Sequence, residues 1–244
     1  MTKIRSSIFL LFITGVLLSC KKTENKTTGA TGITDSQVAA ISAGSLSISH
    51  SGMAANFSAI VLNVPFALNQ VCGSVDVDST TNSGNSNGVV FNYFLKYTHV
   101  VNCNPKQQQD NLVYDLSYHG QFDSPTLSSI DTGTSTFKIA GFAPQATIYG
   151  ITGEYKRSGK FTLKGKLPLS GSSMVDVVVT RLIVSKSTGA VTGGTATANI
   201  TIVIAGATSN YVAPVTFKAD GTASIVINGT TYVINLYTGV ISNG

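Results

Sequence analysis

From residue 70 onward, apolar and polar residues alternate in long runs, the period of a half-buried strand. Tyr114, Leu116, Tyr118 and Phe122 alternate with Asp115, Ser117, His119 and Gln121. Residues 146–155 and 159–167 read as a hairpin around Arg157-Ser158-Gly159. Residues 174–184 are denser in valine and read as a strand buried on both faces. Residues 195–204 alternate again. The end of the chain reads as a meander through 215–218, 223–227 and 231–236, turning at Asp220-Gly221 and Asn228-Gly229. Asp-Gly and Asn-Gly favour two-residue hairpins because type I′ turns need positive φ at both central positions. This gives about ten strands with short connections and no βαβ spacing. The expected fold is all-β: an antiparallel sandwich or barrel-like sheet.

Residues 34–62 break the pattern. Thr34 or Asp35 is placed to cap a helix through 36–41. Residues 53–62 are rich in alanine without alternation and predict a second short helix, with Pro65 closing the region. A short helical segment therefore precedes the strands.

The N-terminus has a different character. Lys3 and Arg5 precede an apolar run over 8–16, which closes on Leu17-Leu18-Ser19-Cys20. A basic start, a short apolar stretch and a small residue before the cut make a signal peptide over 1–19. The stretch is short for a transmembrane helix, which needs roughly 20 apolar residues. Leu-Leu-Ser-Cys resembles the lipobox of bacterial lipoproteins. That resemblance implies cleavage before Cys20 and acylation of its sulfur and amine, palmitate being one such chain. Several acyl chains hold a protein firmly to a membrane. Lys21, rather than aspartate, follows the cysteine; the lipoprotein sorting pattern then implies the outer membrane, with the periplasmic or surface side open. Residues 20–32 read as a lipidated flexible tether of Lys, Thr, Asn and Gly. Residues 33–244 read as a single, mostly β domain.

Charge adds little. The formal net charge is +5, but from residue 29 onward there are 11 basic and 10 acidic residues. The basic pI is thus no sign of nucleic-acid binding. Lysines beside the lipid suit anionic head groups.

With Cys20 lipidated, Cys72 and Cys103 remain, and an oxidising envelope favours their pairing. Paired positions in a hairpin sum to a constant. Cys72 with Cys103 gives the same sum as Asn87 with Gly88, a favourable turn pair. The faces conflict, however. Cys103 shares the apolar face of Val89, Phe91, Tyr93, Leu95, Tyr97 and Val101, whereas Cys72 lies off the face of Val71, Val75 and Val77. Either a bulge at Gly73 shifts the facing or the register is wrong.

Candidate chemistry is sparse. Gly84-Asn85-Ser86-Asn87-Gly88 matches the nucleophile-elbow spacing, but it lies in a hairpin with no helix following. Asp76 and Asp78 begin a calcium-like spacing that lacks glycine at the sixth position and glutamate at the twelfth. His50, His99 and His119 have no zinc-ligand spacing, and His119 and Asp115 lie roughly 13 Å apart along one strand. The glutamates are Glu24 and Glu154, so a glutamate glycosidase pair is unavailable. No catalytic residue, metal or cofactor is assigned. Lys156, Arg157, Lys160, Lys164 and Lys166 form a basic cluster, read as a contact for an anionic glycolipid or membrane, or as a solvated face. Asp78-Ser79-Thr80 resembles the O-glycosylation sequon of the Bacteroidota, with Ser79 as acceptor.

Further segments include Val71-Cys72-Gly73, Asn102-Cys103-Asn104, Tyr118-His119-Gly120-Gln121-Phe122-Asp123 and Tyr149-Gly150-Ile151-Thr152-Gly153-Glu154. With the lipobox and the Asn228-Gly229-Thr230-Thr231-Tyr232 close, the chain resembles an uncharacterised family of Bacteroidota outer-membrane lipoproteins. The resemblance implies location and fold and carries no functional residues. The expected function is a non-catalytic binding or structural module, anchored through Cys20, with a glycan, glycolipid or protein partner and no nucleic acid. A lipid or glycolipid carrier with an apolar cavity and an envelope hydrolase with a dispersed site are the alternatives.

Overall fold

A computed structural model describes residues 31–143 and 145–244. The leader, Cys20 and the tether up to residue 30 lie outside the described residues. Two helices, α1 (Asp35–Leu46) and α2 (Met53–Ala67), precede eleven strands. These are β1 (Val75–Ser86), β2 (Val89–Cys103), β3 (Gln109–Asp123), β4 (Leu127–Ala140), β5 (Ile148–Leu163) and β6 (Leu169–Ser185). The series continues with β7 (Val191–Ile204), β8 (Ala207–Lys218), β9 (Thr222–Ile227), β10 (Thr230–Asn235) and β11 (Ile241–Asn243). All are antiparallel neighbours in sequence order, forming one meandering sheet.

The sheet is neither two facing layers nor a closed barrel: it ends at β1 and β11. The helices take the place of a second layer. Helix α1 touches β4, β6, β9, β10 and β11, strands far apart in order, so the sheet curls around it. From β2 to β10 one strand face points inward and is buried, the other outward. The resulting core includes Tyr93, Leu112, Tyr114, Phe137, Ile139, Ile151, Tyr155 and Leu182 from the sheet. Val38, Leu46, Met53, Ile60 and Val64 meet them from the helices.

Helix α1 starts as its sequence predicts. The Thr34 hydroxyl accepts from the Gln37 N–H at 3.3 Å, and the Gln37 side chain accepts from the Thr34 N–H at 2.9 Å, a capping box. Helix α2 does not stop at Pro65 but runs two residues beyond it. Pro65 is exposed while Val64 and Ala67 are buried, so one lost hydrogen bond on the wet side is outweighed by packing on the dry side.

Two strand expectations are corrected. There is no hairpin at Arg157-Ser158-Gly159: β5 runs unbroken through it, and the chain turns only over 164–168. Strand β6 is not buried on both faces, since Met174 and Val178 are exposed. A register shift between Val179 and Arg181 moves the inward set from Val175, Val177 and Val179 to Leu182 and Val184. A turn at Ala205-Gly206 joins β7 to β8, with an alanine where glycine or asparagine is usual.

The first hairpin follows the register set by Asn87-Gly88, whose φ values are 53° and 77°. Pairing runs from Ser86–Val89 to Val75–Val100 without slip. Beyond it, the Gly73 N–H donates to Val101 O at 2.8 Å and the Val101 N–H donates to Ser74 O at 3.1 Å. Two residues against one is a bulge at Gly73, but the facing does not need it, since the even positions of β1 already share the side of Cys103. Cys72 and Cys103 form the disulfide, with Cα atoms 5.6 Å apart. The faces conflict because β1 lies beyond the core. It is exposed on both sides, with Val75 and Val77 outward and Asp76 and Asp78 on the inner side. Inward charges on an edge strand discourage pairing with another chain.

The disulfide thus closes an edge hairpin rather than the core. Replacing both cysteines (Cys72→Ser with Cys103→Ser) is expected to weaken β1 locally by about 2–4 kcal/mol. Hydrogen exchange should show lost protection over 75–86 with β6–β8 little changed. Equal loss across the whole sheet would contradict this placement.

Candidate functional site

The inner wall of the sheet carries a polar cluster beneath α1. Arg157 on β5 is 4% exposed, and Asp131 on β4 is equally buried. A guanidinium nitrogen, Nη2, donates to the Asp131 carboxylate and to the Tyr93 hydroxyl. Tyr93 also donates to Asp131 at 2.8 Å. The other nitrogen, Nη1, donates to Gly44 O at 2.8 Å and His50 O at 3.1 Å. The guanidinium carbon sits 5.2 Å from the Phe122 ring centroid and 5.5 Å from that of Tyr93. Ser129 donates to Asp131 at 2.7 Å. The Tyr118 and Tyr155 hydroxyls share a hydrogen bond at 2.8 Å.

Small residues make room for these groups. The ladders place Gly120 opposite Tyr93 and Asp131, Gly133 opposite Tyr118 and Arg157, and Gly159 opposite Asp131. At Gly133 a Cβ would lie 2.2 Å from both the Tyr118 hydroxyl and the Lys156 carbonyl oxygen. Any side chain there would push the cluster off the wall.

Burial is the largest single influence and works against the charged guanidinium, but Asp131 together with Tyr93, Tyr155 and Tyr118 outweighs it, so Arg157 is held well above its ordinary value. Burial pushes the hydroxyls of Tyr93, Tyr118 and Tyr155 up, so they remain protonated donors. His50, in the turn between the helices, moves the other way. Burial first, then the nearby Arg157 charge, lowers its imidazole from 6.5 to about 4. Its Nδ1 lies 2.8 Å from Ser47 Oγ and 2.9 Å from Ser49 Oγ. Both serines meet the same ring nitrogen, and the carboxylate nearest in charge, Asp131, is bonded to Arg157 instead. A nucleophile–base–acid chain is not assembled here.

Beside this cluster opens a groove of about 450 Å3, between α1, the strand-end turns and β11. Ala40, Val89, Leu127, Leu163 and Ile241 supply apolar walls; Ser36, Gln37 and Lys164 stand at the rim, and His50 lines it as well. Lys164 is steadied there by Asp123 and by Ser124 O at 2.7 Å.

The basic cluster read from the sequence is dispersed. Arg157 is not available to an anionic surface, because strand parity turns it inward with Tyr155 and Phe161. Lys156 pairs with Glu154 at 2.8 Å on the outer face, Lys160 is exposed on that face, and Lys164 and Lys166 sit in the turn after β5. Ser79 is exposed on β1. Asp76 and Asp78 lie along an extended, exposed strand rather than in a loop. Among the described residues no group of three or more His, Cys, Asp or Glu side chains is placed to hold a metal. His99 is buried against Tyr114, and His119 stands on the outer face beside Phe94.

The chain matches no family model, no curated protein and no solved structure. The site must therefore be read from its own geometry. The sequence hides the pairing of Arg157 with Asp131, the centre of that geometry, because Arg157-Ser158-Gly159 has the composition of a turn while β5 runs through it. One parity rule across 148–163 would have placed Arg157 on the apolar side.

Two outcomes follow. Arg157→Met leaves a buried carboxylate unpaired and should cost about 3–5 kcal/mol in urea unfolding, whereas Arg157→Met with Asp131→Leu should recover much of that. A single-variant loss below about 1 kcal/mol would mean that the pair is solvated. For His50, the folded imidazole binds its proton less readily than the unfolded one. Its neutral burial is therefore free of penalty above pH about 6.5, and stability falls as pH drops toward about 4. Between pH 7.5 and 4.5 the wild type should lose roughly 2–3 kcal/mol more than His50→Gln. Parallel pH curves for the two proteins would refute the assignment.

Proposed function

We propose that this chain is a lipoprotein of the bacterial cell envelope, tethered to the outer membrane through lipid on Cys20, and that its β domain binds the apolar part of an amphiphile. The observation that supports this reading is the groove beside α1. Its volume of about 450 Å3 falls within the range of small-molecule sites. Its walls are apolar and its rim polar, the arrangement that suits a chain with a hydrophilic head. Ser36, Gln37 and Lys164 at the rim are the groups that would meet the head. Binding of this kind asks for shape and desolvation rather than a reactive side chain. Lys160 and Lys166 remain candidates for contact with anionic lipid, and Ser79 remains a candidate acceptor for O-linked sugar.

The test is a titration of residues 21–244, produced without leader or lipid, with the environment-sensitive dye 1-anilinonaphthalene-8-sulfonate, followed by displacement with palmitate. Saturable binding and full displacement are expected. Ala40→Phe, which fills the groove, should weaken palmitate at least tenfold, about 1.4 kcal/mol, while leaving thermal unfolding unchanged. Absence of saturable binding, or an Ala40→Phe protein that binds as wild type, would reject the reading.

A further inference from the structure

The outward face of β2–β5 presents a second, separate surface. The ladders align Asn92, Gln121, Ile130 and Lys160 in one row across four strands. In the next row Phe94 pairs with His119, their rings 5.3 Å apart and tilted by 34°. All six side chains are exposed. Two adjoining depressions of about 470 and 350 Å3 lie over these rows and share Asn92, Gln121 and Ile130. Strand spacing makes the trough roughly 14 Å across the strands, and the two-residue repeat makes it about 13 Å along them from residue 90 to 94.

The chemistry of the trough is mixed in a specific way. The Asn92 and Gln121 carboxamides and the Lys160 ammonium make no side-chain hydrogen bond or ion pair among the described residues. Each carboxamide offers donors and an acceptor in one plane. The neighbouring Phe94 and His119 rings and Ile130 offer apolar surface between them. Asp123, at one end, is already neutralised by Lys164. The floor thus carries one free charge among amides, rings and an aliphatic side chain.

We propose that this trough is a binding site for a neutral, hydroxyl-rich oligosaccharide. A pyranose has an apolar C–H face and a rim of hydroxyls that both donate and accept. The rings and Ile130 meet the first, the carboxamides and Lys160 the second. The footprint suits a di- or trisaccharide laid along the rows. A polyanion would need more cations than Lys160, and an acyl chain would strand the amides without partners. The site is on the opposite face of the sheet from the amphiphile groove and does not depend on that groove being used.

Calorimetric titration of the full-length protein in detergent with chitotriose, cellotriose and maltotriose tests the site. At least one sugar should bind saturably with a dissociation constant in the millimolar range or tighter. Asn92→Ala with Gln121→Ala should weaken that sugar at least tenfold with thermal unfolding unchanged, since both positions are exposed. The chain has no tryptophan, so Phe94→Trp supplies a single reporter whose emission should shift on saturation. The proposal is overturned if none of the three sugars saturates by about 20 mM. It is equally overturned if the double variant binds within about twofold of wild type, or if a bound sugar leaves the Phe94→Trp emission unmoved.

Discussion

The architecture depends on one buried charge. Arg157 stands on the inner wall of the sheet, and its guanidinium must find hydrogen-bond partners in a place without water. It finds them on both layers at once: Asp131 and Tyr93 on the sheet, Gly44 O and His50 O on the helical segment. Gly44 lies in the last turn of α1, where backbone carbonyls lack partners inside the helix. No basic residue occupies that last turn. The sheet therefore supplies the cation that the helix end calls for, at the negative end of its dipole. An ion pair of this kind adds little net stability over a well-packed apolar pair, but it is costly to half-break. It also ties the helical segment to the sheet, through Gly44 O and His50 O.

That constraint explains why an open sheet suffices. A meander of eleven strands has two free edges, and closure is the usual way to remove them. Here the concave face is filled by α1 and α2, so the apolar side is buried without β1 meeting β11. The terminal strands are managed separately. Strand β11 is three residues long, and β1 is polar, carries inward carboxylates and is pinned at one end by Cys72–Cys103. The valines of β1 can face solvent because nothing beyond β2 needs them.

Much of the fold was legible because its rules are local. Alternation marked β3 and β7, Asn87-Gly88 and Asn228-Gly229 marked their turns, and Thr34 marked the start of α1. The summed register of the cysteines was readable from positions alone, whereas the outward facing of Val75 and Val77, which removes the conflict of faces without a bulge, was not. What escaped depends on contacts distant in sequence. Arg157-Ser158-Gly159 has the composition of a turn, yet Arg157 is drawn inward by Asp131, 26 residues earlier, and Gly159 is there to leave space for that carboxylate. The shift in β6 at Val179 to Arg181 reverses which valines are buried, and no pattern within the strand announces it. The groove is less legible still, since its walls come from α1, β2, β4, β5 and β11.

The placement of α1 links the scaffold to the proposed anchor. Its first turn supplies Ser36 and Gln37 to the groove rim, while Thr31, five residues earlier, is held by Ser209 at 3.1 Å. If Cys20 carries lipid as proposed, a fully extended chain from it to Thr31 would span at most about 36–40 Å, which would keep the groove near the bilayer. An amphiphile could then pass from membrane to groove over a short distance. The wall it would meet is α1, whose C-terminal end is fixed by Arg157 and whose N-terminal end is tied to the β9–β10 turn by the Asn228 side chain, which donates to Asp35 at 2.8 Å. The site is thus bounded by a helix secured at both ends, so a ligand would find its shape already formed and would lose little by ordering it.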